Sequence, residues 1–177
     1  MLLTKRYNSD YDSNVNHLRT IANEEKPITI LHVPFGPSSD PSPALGADGK
    51  TKVTEVVFYY FLSSLTDAQK DAIMSATEKF QPIMERSESL AVFDGWAVEE
   101  NVPNPASQSG QKEESKVRVN VVGWVDVEAH MRFQQSQDFQ ENVHQIVGFK
   151  EMRHTELYHT QLQPVWNIRK EPHSLAC

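Results

Sequence analysis

Twice in this chain a run of β-branched and aromatic residues stops at a helix cap, and that doubled transition limits the fold more than any other feature. The first run is VTEVVFYYFL (53–62), followed by LTDAQKDAIMSATEKFQPIMER. Thr66 stands there as N-cap with Gln69 three residues on, the signature of a capping box. Ala72, Ile73, Ala76, Phe80, Ile83 and Met84 then recur at helical spacing. This is one amphipathic helix, with a kink expected near Pro82, because proline lacks the amide hydrogen that a continuous helix uses. The second run is KVRVNVVGWVD (116–126), where Asp126 caps a helix with Ala129 and Phe133 stacked at i, i+4. Ser136 restarts a further helical piece carrying Phe139, Val143 and Ile146.

Two more β-type runs complete the pattern. SLAVFDGWAVEE (89–100) precedes the second transition across a polar tract, NVPNPASQSGQKEESK (101–116), which suits a long hairpin loop. MRHTELYHTQL (152–162) closes the unit as a last strand. Residues 53–162 therefore read β-α-β-β-α-β, an α+β ferredoxin-like unit with an antiparallel sheet and its helices on one face. Upstream, GPSSDPSPALGADGKTK (36–52) concentrates Gly, Pro, Ser and Asp, and residues 38–52 are assigned as a linker. Residues 163–177 form a C-terminal tail.

The first 37 residues resemble the end of that unit. DYDSNVNHL (10–18) lies over DFQENVHQI (138–146), and PITILHVPFGP (27–37) lies over HTELYHTQLQP (154–164), with His32 on His159. Residues 1–37 thus read as a partial repeat, a helix and a strand.

Composition excludes several classes of function. A net charge of −7 with interspersed signs argues against nucleic acid or an anionic membrane as partner. The N-terminus lacks the apolar run of a signal peptide, and no stretch approaches the roughly 18 apolar residues of a membrane span. A soluble, cytoplasmic protein is expected. With Cys177 as the sole cysteine there is neither a disulfide framework nor a cysteine metal site.

DGW in the second strand, VVGW in the third, then VDVEAHMRF and DFQENV together resemble the antibiotic-biosynthesis-monooxygenase and stress-responsive proteins of the dimeric α/β-barrel superfamily, above all the fungal two-repeat members with a shortened first repeat. The resemblance implies two ferredoxin-like sheets enclosing a cavity. Because the partial first repeat supplies no second sheet, a homodimer is expected.

Strand alternation separates two faces of the sheet. Val117, Val119 and Val121 are the apolar set, expected to meet the helices. Arg118, Asn120, Val122 and Trp124, with Glu55, Val57, Tyr59 and Phe61 and with Asp94 and Trp96, are expected to face a cavity for a small aromatic or polyketide-like ligand. Tyr59, Trp96, Trp124 and Arg118 are the candidate lining residues. For Trp96 and Trp124, plain core packing is the competing reading; the resemblance favours the cavity for Trp124. Glu55, Asn120 and His159 are the candidate catalytic residues. A carboxylate in an aromatic cavity has its pKa raised and can act as a general base; an ordinary sheet polar group is the alternative for Glu55 and Asn120.

His154 and His159 are five apart on one strand, so one alone reaches the cavity, and His159 is preferred because its repeat partner is also a histidine. No histidine pair has helical metal-ligand spacing and no third ligand is apparent, so no metal is expected. His130, in the first turn of the helix after Asp126, is expected on the outer side, away from the cavity. Phe133, Gln134 and Phe139 occupy the segment where plant polyketide cyclases and haem-degrading relatives carry histidines, which leaves out the aldol-cyclase dyad and haem ligation. Two functions remain open. One is a cofactor-independent monooxygenase or cyclase of secondary metabolism; the other is a non-catalytic stress-response or ligand-binding barrel.

Overall fold

The computed structural model describes residues 29–34, 40–47, 49–107 and 113–161. The chain divides into two compact units, 1–31 and 32–177. Of the partial repeat, residues 29–34 carry no strand, and the rest lies outside the described residues.

The second unit holds strands β1 (Val53–Leu62), β2 (Ser89–Trp96), β3 (Val102–Pro103), β4 (Glu114–Trp124) and β5 (Met152–Thr160). Between them lie helices α1 (Asp67–Glu78), α2 (Gln81–Glu85), α3 (Val127–Gln135), α4 (Gln137–Asn142) and α5 (His144–Val147). Every strand pairing is antiparallel, in the order β2-β4-β1-β5, with the short β3 added beside β4. This is the ferredoxin-like α+β arrangement expected from the order of the runs, and the sheet remains open.

The caps form as the sequence requires. Thr66 Oγ1 accepts from the Gln69 amide at 3.3 Å while Gln69 Oε1 accepts from the Thr66 amide at 2.9 Å. Asp126 Oδ1 accepts from the Ala129 amide at 2.6 Å, and Ser136 Oγ accepts from the Phe139 amide at 3.2 Å. The first helix breaks before Pro82, and α2 begins afresh with the proline in its first turn, where a missing amide hydrogen costs nothing. Ile73, Phe80, Ile83 and Met84 are buried as the spacing predicts, whereas Ala72 is exposed.

One expectation reverses. The helices cover the mixed face of the sheet and not the valine face. Val122 and Trp124 share a core with Phe80, Ile83, Met84, Ala129 and Phe133, while Val57, Tyr59 and Phe61 pack with Leu65 and Ile73. Val117, Val119 and Val121 are buried as well, on the opposite face. Alternation assigns residues to two faces but cannot rank two faces that are both covered.

Part of that opposite face is covered by the segment assigned as a linker. Residues 42–47 turn tightly, Ala44 is fully buried, and its carbonyl accepts from Thr54 Oγ1 at 2.6 Å. The Lys52 amide donates to the Trp124 carbonyl at 2.9 Å, extending the ladder by one bond. Both Gly-Trp dipeptides use this arrangement. A Cβ on Gly123 would lie 2.6 Å from Thr51 Oγ1 and 2.9 Å from Ala44 Cα, and one on Gly95 would lie 2.9 Å from Val33 Cγ1. Each glycine admits a close covering segment on one face, and the tryptophan after it points to the other.

Candidate functional site

Between the sheet and the helices lies a cavity of about 190 Å³. Its sheet wall includes Glu55, Val57, Tyr59, Asn120, Val122 and Trp124. Its helix wall includes Phe80, Met84, His130, Phe133 and Phe139. It is smaller than the roughly 300–1,000 Å³ of drug-sized pockets, and its aromatic walls suit a small planar ligand.

At one end three polar side chains from three elements converge. Glu55 on β1 stands opposite His159 on β5 and diagonal to Trp124 on β4, since Val53 pairs with Trp124 and Glu55 with His159. Opposed residues of an antiparallel pair project to the same side within about 5 Å of each other, so register alone brings this carboxylate and this imidazole together. Glu55 Oε2 accepts from Trp124 Nε1 at 2.9 Å and lies 3.1 Å from His130 Nε2 and 3.8 Å from His159 Nε2. His130 Nδ1 lies 2.7 Å from His159 Nε2. The His130 ring stacks on Trp124 with centroids 5.1 Å apart.

Burial sets the electrostatics. Desolvation pushes the Glu55 carboxyl up to about 7, opposed by the Trp124 hydrogen bond, which favours the ionised form. Desolvation, with nearby His159 adding to it, lowers His130 to about 4. Burial also raises the Tyr59 hydroxyl to about 12, so it stays protonated.

Two proton arrangements satisfy the chain of contacts. In one, Glu55 is protonated on Oε2 and donates to His130 Nε2, while His130 Nδ1–H donates to His159 Nε2. In the other, Glu55 is ionised and accepts from His130 Nε2–H, while His159 Nε2–H donates to His130 Nδ1. Passing between them moves a proton from the buried carboxyl towards His159, the member of the chain that reaches solvent.

The sequence-based candidates divide as follows. Glu55, Tyr59, Asn120 and Trp124 line the cavity, and Asn120 Oδ1 is buried without a hydrogen-bond partner among the described residues. His159 takes the side of the sheet that holds Glu55 and meets it through His130, whereas His154 packs at a tilt against Tyr60 on the other side. Arg118 and Trp96 point to the helix side but stand off the cavity wall. Fully buried Arg118 is paired with Asp94 and lies 5.6 Å from the centre of the Tyr59 ring. Trp96 packs on Phe61 at 5.1 Å. Phe133, Gln134 and Phe139 line the cavity as well.

His130 is the residue that sequence reasoning misplaced. It is 4 % exposed and lines the cavity. The error follows from putting the cavity on the face away from the helices. A signal was present, because His130 and Phe133 are i, i+3 and so share a helix face, and Phe133 packs on the sheet with Val122 and Trp124. Glu55, His130 and His159 also place three possible metal-ligating atoms within 4.8 Å of one another. Their positions in three separate elements left no spacing for sequence reasoning to find.

No protein-family model and no curated protein matches the chain. Among solved structures, an Arabidopsis thaliana protein is 11 % identical at a TM-score of 0.44, covering 63 % of this chain and 96 % of its own. A hydroxynitrile lyase from Passiflora edulis is 14 % identical at 0.42, covering 64 % and 95 %. A dimeric ferredoxin-like protein of unknown function from Thermobifida fusca is 10 % identical at 0.39, covering 62 % and 90 %. The fold assignment follows from the strand order of the chain itself.

Proposed function

We propose that the chain is an enzyme that takes a proton from a small aromatic or polyketide-like ligand held between sheet and helices, with Glu55 as general base. The observation that carries this reading is the position of the Glu55 carboxylate at an aromatic cavity wall, held between Trp124 Nε1 and His130 Nε2. A buried carboxylate with that support abstracts a proton without solvent competing for it. His130 and His159 then carry the proton outward and restore the base.

The ionised ligand does the rest. As a phenolate or enolate it passes an electron to O₂; recombination with superoxide gives a peroxide, and loss of water leaves a carbonyl. The net change is CH₂ plus O₂ to C=O plus H₂O. A linear polyketide enolate would instead attack its own carbonyl and cyclise. Neither route calls on an organic cofactor. Asn120 offers its free amide oxygen to a ligand hydroxyl, and Tyr59, Trp124 and the phenylalanines fix the ring plane.

This reading places the chain among the antibiotic-biosynthesis-monooxygenase and stress-responsive proteins, as a cytoplasmic enzyme of secondary metabolism. It includes a homodimer. The valine face offers Phe58 edge-on to Tyr158 at 6.0 Å, with Tyr158 53 % exposed, as a surface for a second copy. Sedimentation of a monomer at micromolar concentration would remove that part of the proposal.

The test is incubation of chelator-treated protein with anthrone or a linear polyketide under O₂. Metal-independent turnover that collapses in Glu55→Gln is the expected result. Ligand binding without turnover would overturn the catalytic reading in favour of a ligand-binding barrel.

A further inference from the structure

We propose that Glu55, His130 and His159 also form a site for a divalent transition-metal ion, with Zn²⁺ the ion their donors fit best. This goes beyond the acid–base reading but rests on the same three residues, so ion and relayed protons compete for the same lone pairs.

The donor set is one carboxylate and two imidazoles, which suits Zn²⁺ and neighbouring divalent ions. An ion at about 2.0–2.2 Å from each donor holds them roughly 3.3 Å apart in a tetrahedral site. Glu55 Oε2 is already 3.1 Å from His130 Nε2 and 3.8 Å from His159 Nε2, and all candidate atoms fall within 4.8 Å. The adjustment required is a turn of the His159 ring off His130 Nδ1. His159 is the member free to make it, with its side chain 28 % exposed against 9 % for Glu55 and 5 % for His130.

The surroundings support ligation. Trp124 Nε1 orients the carboxylate by its hydrogen bond, and the Trp124 ring stacks on His130 and holds its plane. Outer contacts of this kind fix the direction of metal ligands. Three protein donors leave a fourth position for water or ligand, and Glu55 and His130 both face the cavity.

The experiment uses the full chain, stripped with a chelator and titrated calorimetrically with Zn²⁺, with Co²⁺ as a spectroscopic probe. One ion per chain is expected, with tetrahedral Co²⁺ absorption bands and an affinity that falls at least tenfold in His159→Ala. His159 is partly exposed, so this variant should keep the fold; circular dichroism checks that, and Glu55→Gln provides a second ligand removal. Absence of Zn²⁺ binding, or an affinity in both variants equal to that of the unaltered chain, overturns the inference.

Turnover measured in parallel keeps the two proposals apart. Binding that suppresses turnover leaves both standing. Turnover without binding removes the metal site alone. Turnover that requires the ion keeps the metal site and removes the metal-independent proton relay.

Discussion

Both faces of the sheet bury side chains, and they do opposite things. On one, Val117, Val119, Val121 and two glycines offer small side chains, and the covering segment comes so close that Gly123 has no room for a methyl group. On the other, Glu55, Tyr59, Arg118, Asn120 and Trp124 differ in size and polarity, and the helices over them leave a cavity. Small uniform side chains close a layer without gaps. A mixed set cannot, and it also buries polar groups that the packing leaves unmet: Trp96 Nε1, Arg118 Nε and Asn120 Oδ1 have no hydrogen-bond partner among the described residues. One face therefore contributes stability, and the other gives up some of it to hold chemical groups.

The sharpest way to break this comparison is to remove the carboxylate on the mixed face. Glu55→Gln keeps the volume and can still accept from Trp124 Nε1, but it cannot take a proton. Turnover of an anthrone substrate is expected to fall by roughly 10²–10⁴-fold, the range for loss of a general base, with little loss of ligand affinity. Unchanged turnover would reduce Glu55 to a buried sheet polar group.

The pH dependence of stability separates the mixed face from an inert one. Glu55 has a raised pKa, so between its ordinary value of 4.5 and about 7 the folded state binds more protons, and stability falls as pH rises. His130 has a lowered pKa, so between about 4 and its ordinary 6.5 the unfolded state binds more protons, and stability rises with pH. In the wild type the two slopes oppose each other across pH 4.5–6.5 and largely cancel. Each variant unmasks one of them. In chelator-treated Glu55→Gln, urea unfolding should show stability rising from pH 4 to 6.5. His130→Phe should show it falling from 4.5 to 7, each by up to about 3 kcal/mol. Parallel profiles in all three proteins would mean that neither group is perturbed.

The valine face is tested by adding one carbon. Gly123→Ala sets a methyl group against Thr51 Oγ1 and the Ala44 backbone. A loss of about 2 kcal/mol is expected from overpacking, with no effect on ligand affinity. A neutral result would show that residues 41–52 are easily displaced and that the face is open for a second sheet.

Much of the fold was legible because its signals are local. VTEVVFYYFL is the strand Val53–Leu62, and the Thr66–Gln69 and Asp126 caps start helices where the sequence places them. The faces were legible as sets, since Glu55, Tyr59, Asn120 and Trp124 do share a side. Which side the helices cover was not, because two buried faces look alike to an alternation rule, and His130 was misassigned as a result. The link from Glu55 through His130 to His159 was hidden for another reason. It depends on the β1–β5 register and on the rotation of α3, and both are tertiary. The burial of Ala44 was missed because a Gly/Pro/Ser-rich stretch reads as unpacked, although small residues are what a close approach to Gly123 calls for.

The smallest expected effect makes the most specific demand on the comparison. Asn120 occupies the middle of the mixed face, paired in register with Val57 and Asp94, and its buried Oδ1 has no partner among the described residues. An unmet buried acceptor costs about 1–3 kcal/mol, and an apolar side chain of similar shape removes that cost. Asn120→Leu should therefore raise the unfolding free energy, by about 1 kcal/mol once some strain from the branched side chain is allowed for. If the face trades stability for chemistry, the same substitution should weaken ligands that bear a hydroxyl and spare analogues that lack it. A stabilised protein with unchanged selectivity would mean that the Asn120 amide is a packing flaw and takes no part in recognition. A destabilised one would mean that a water already satisfies Oδ1, and that the mixed face is better packed than its side chains alone indicate.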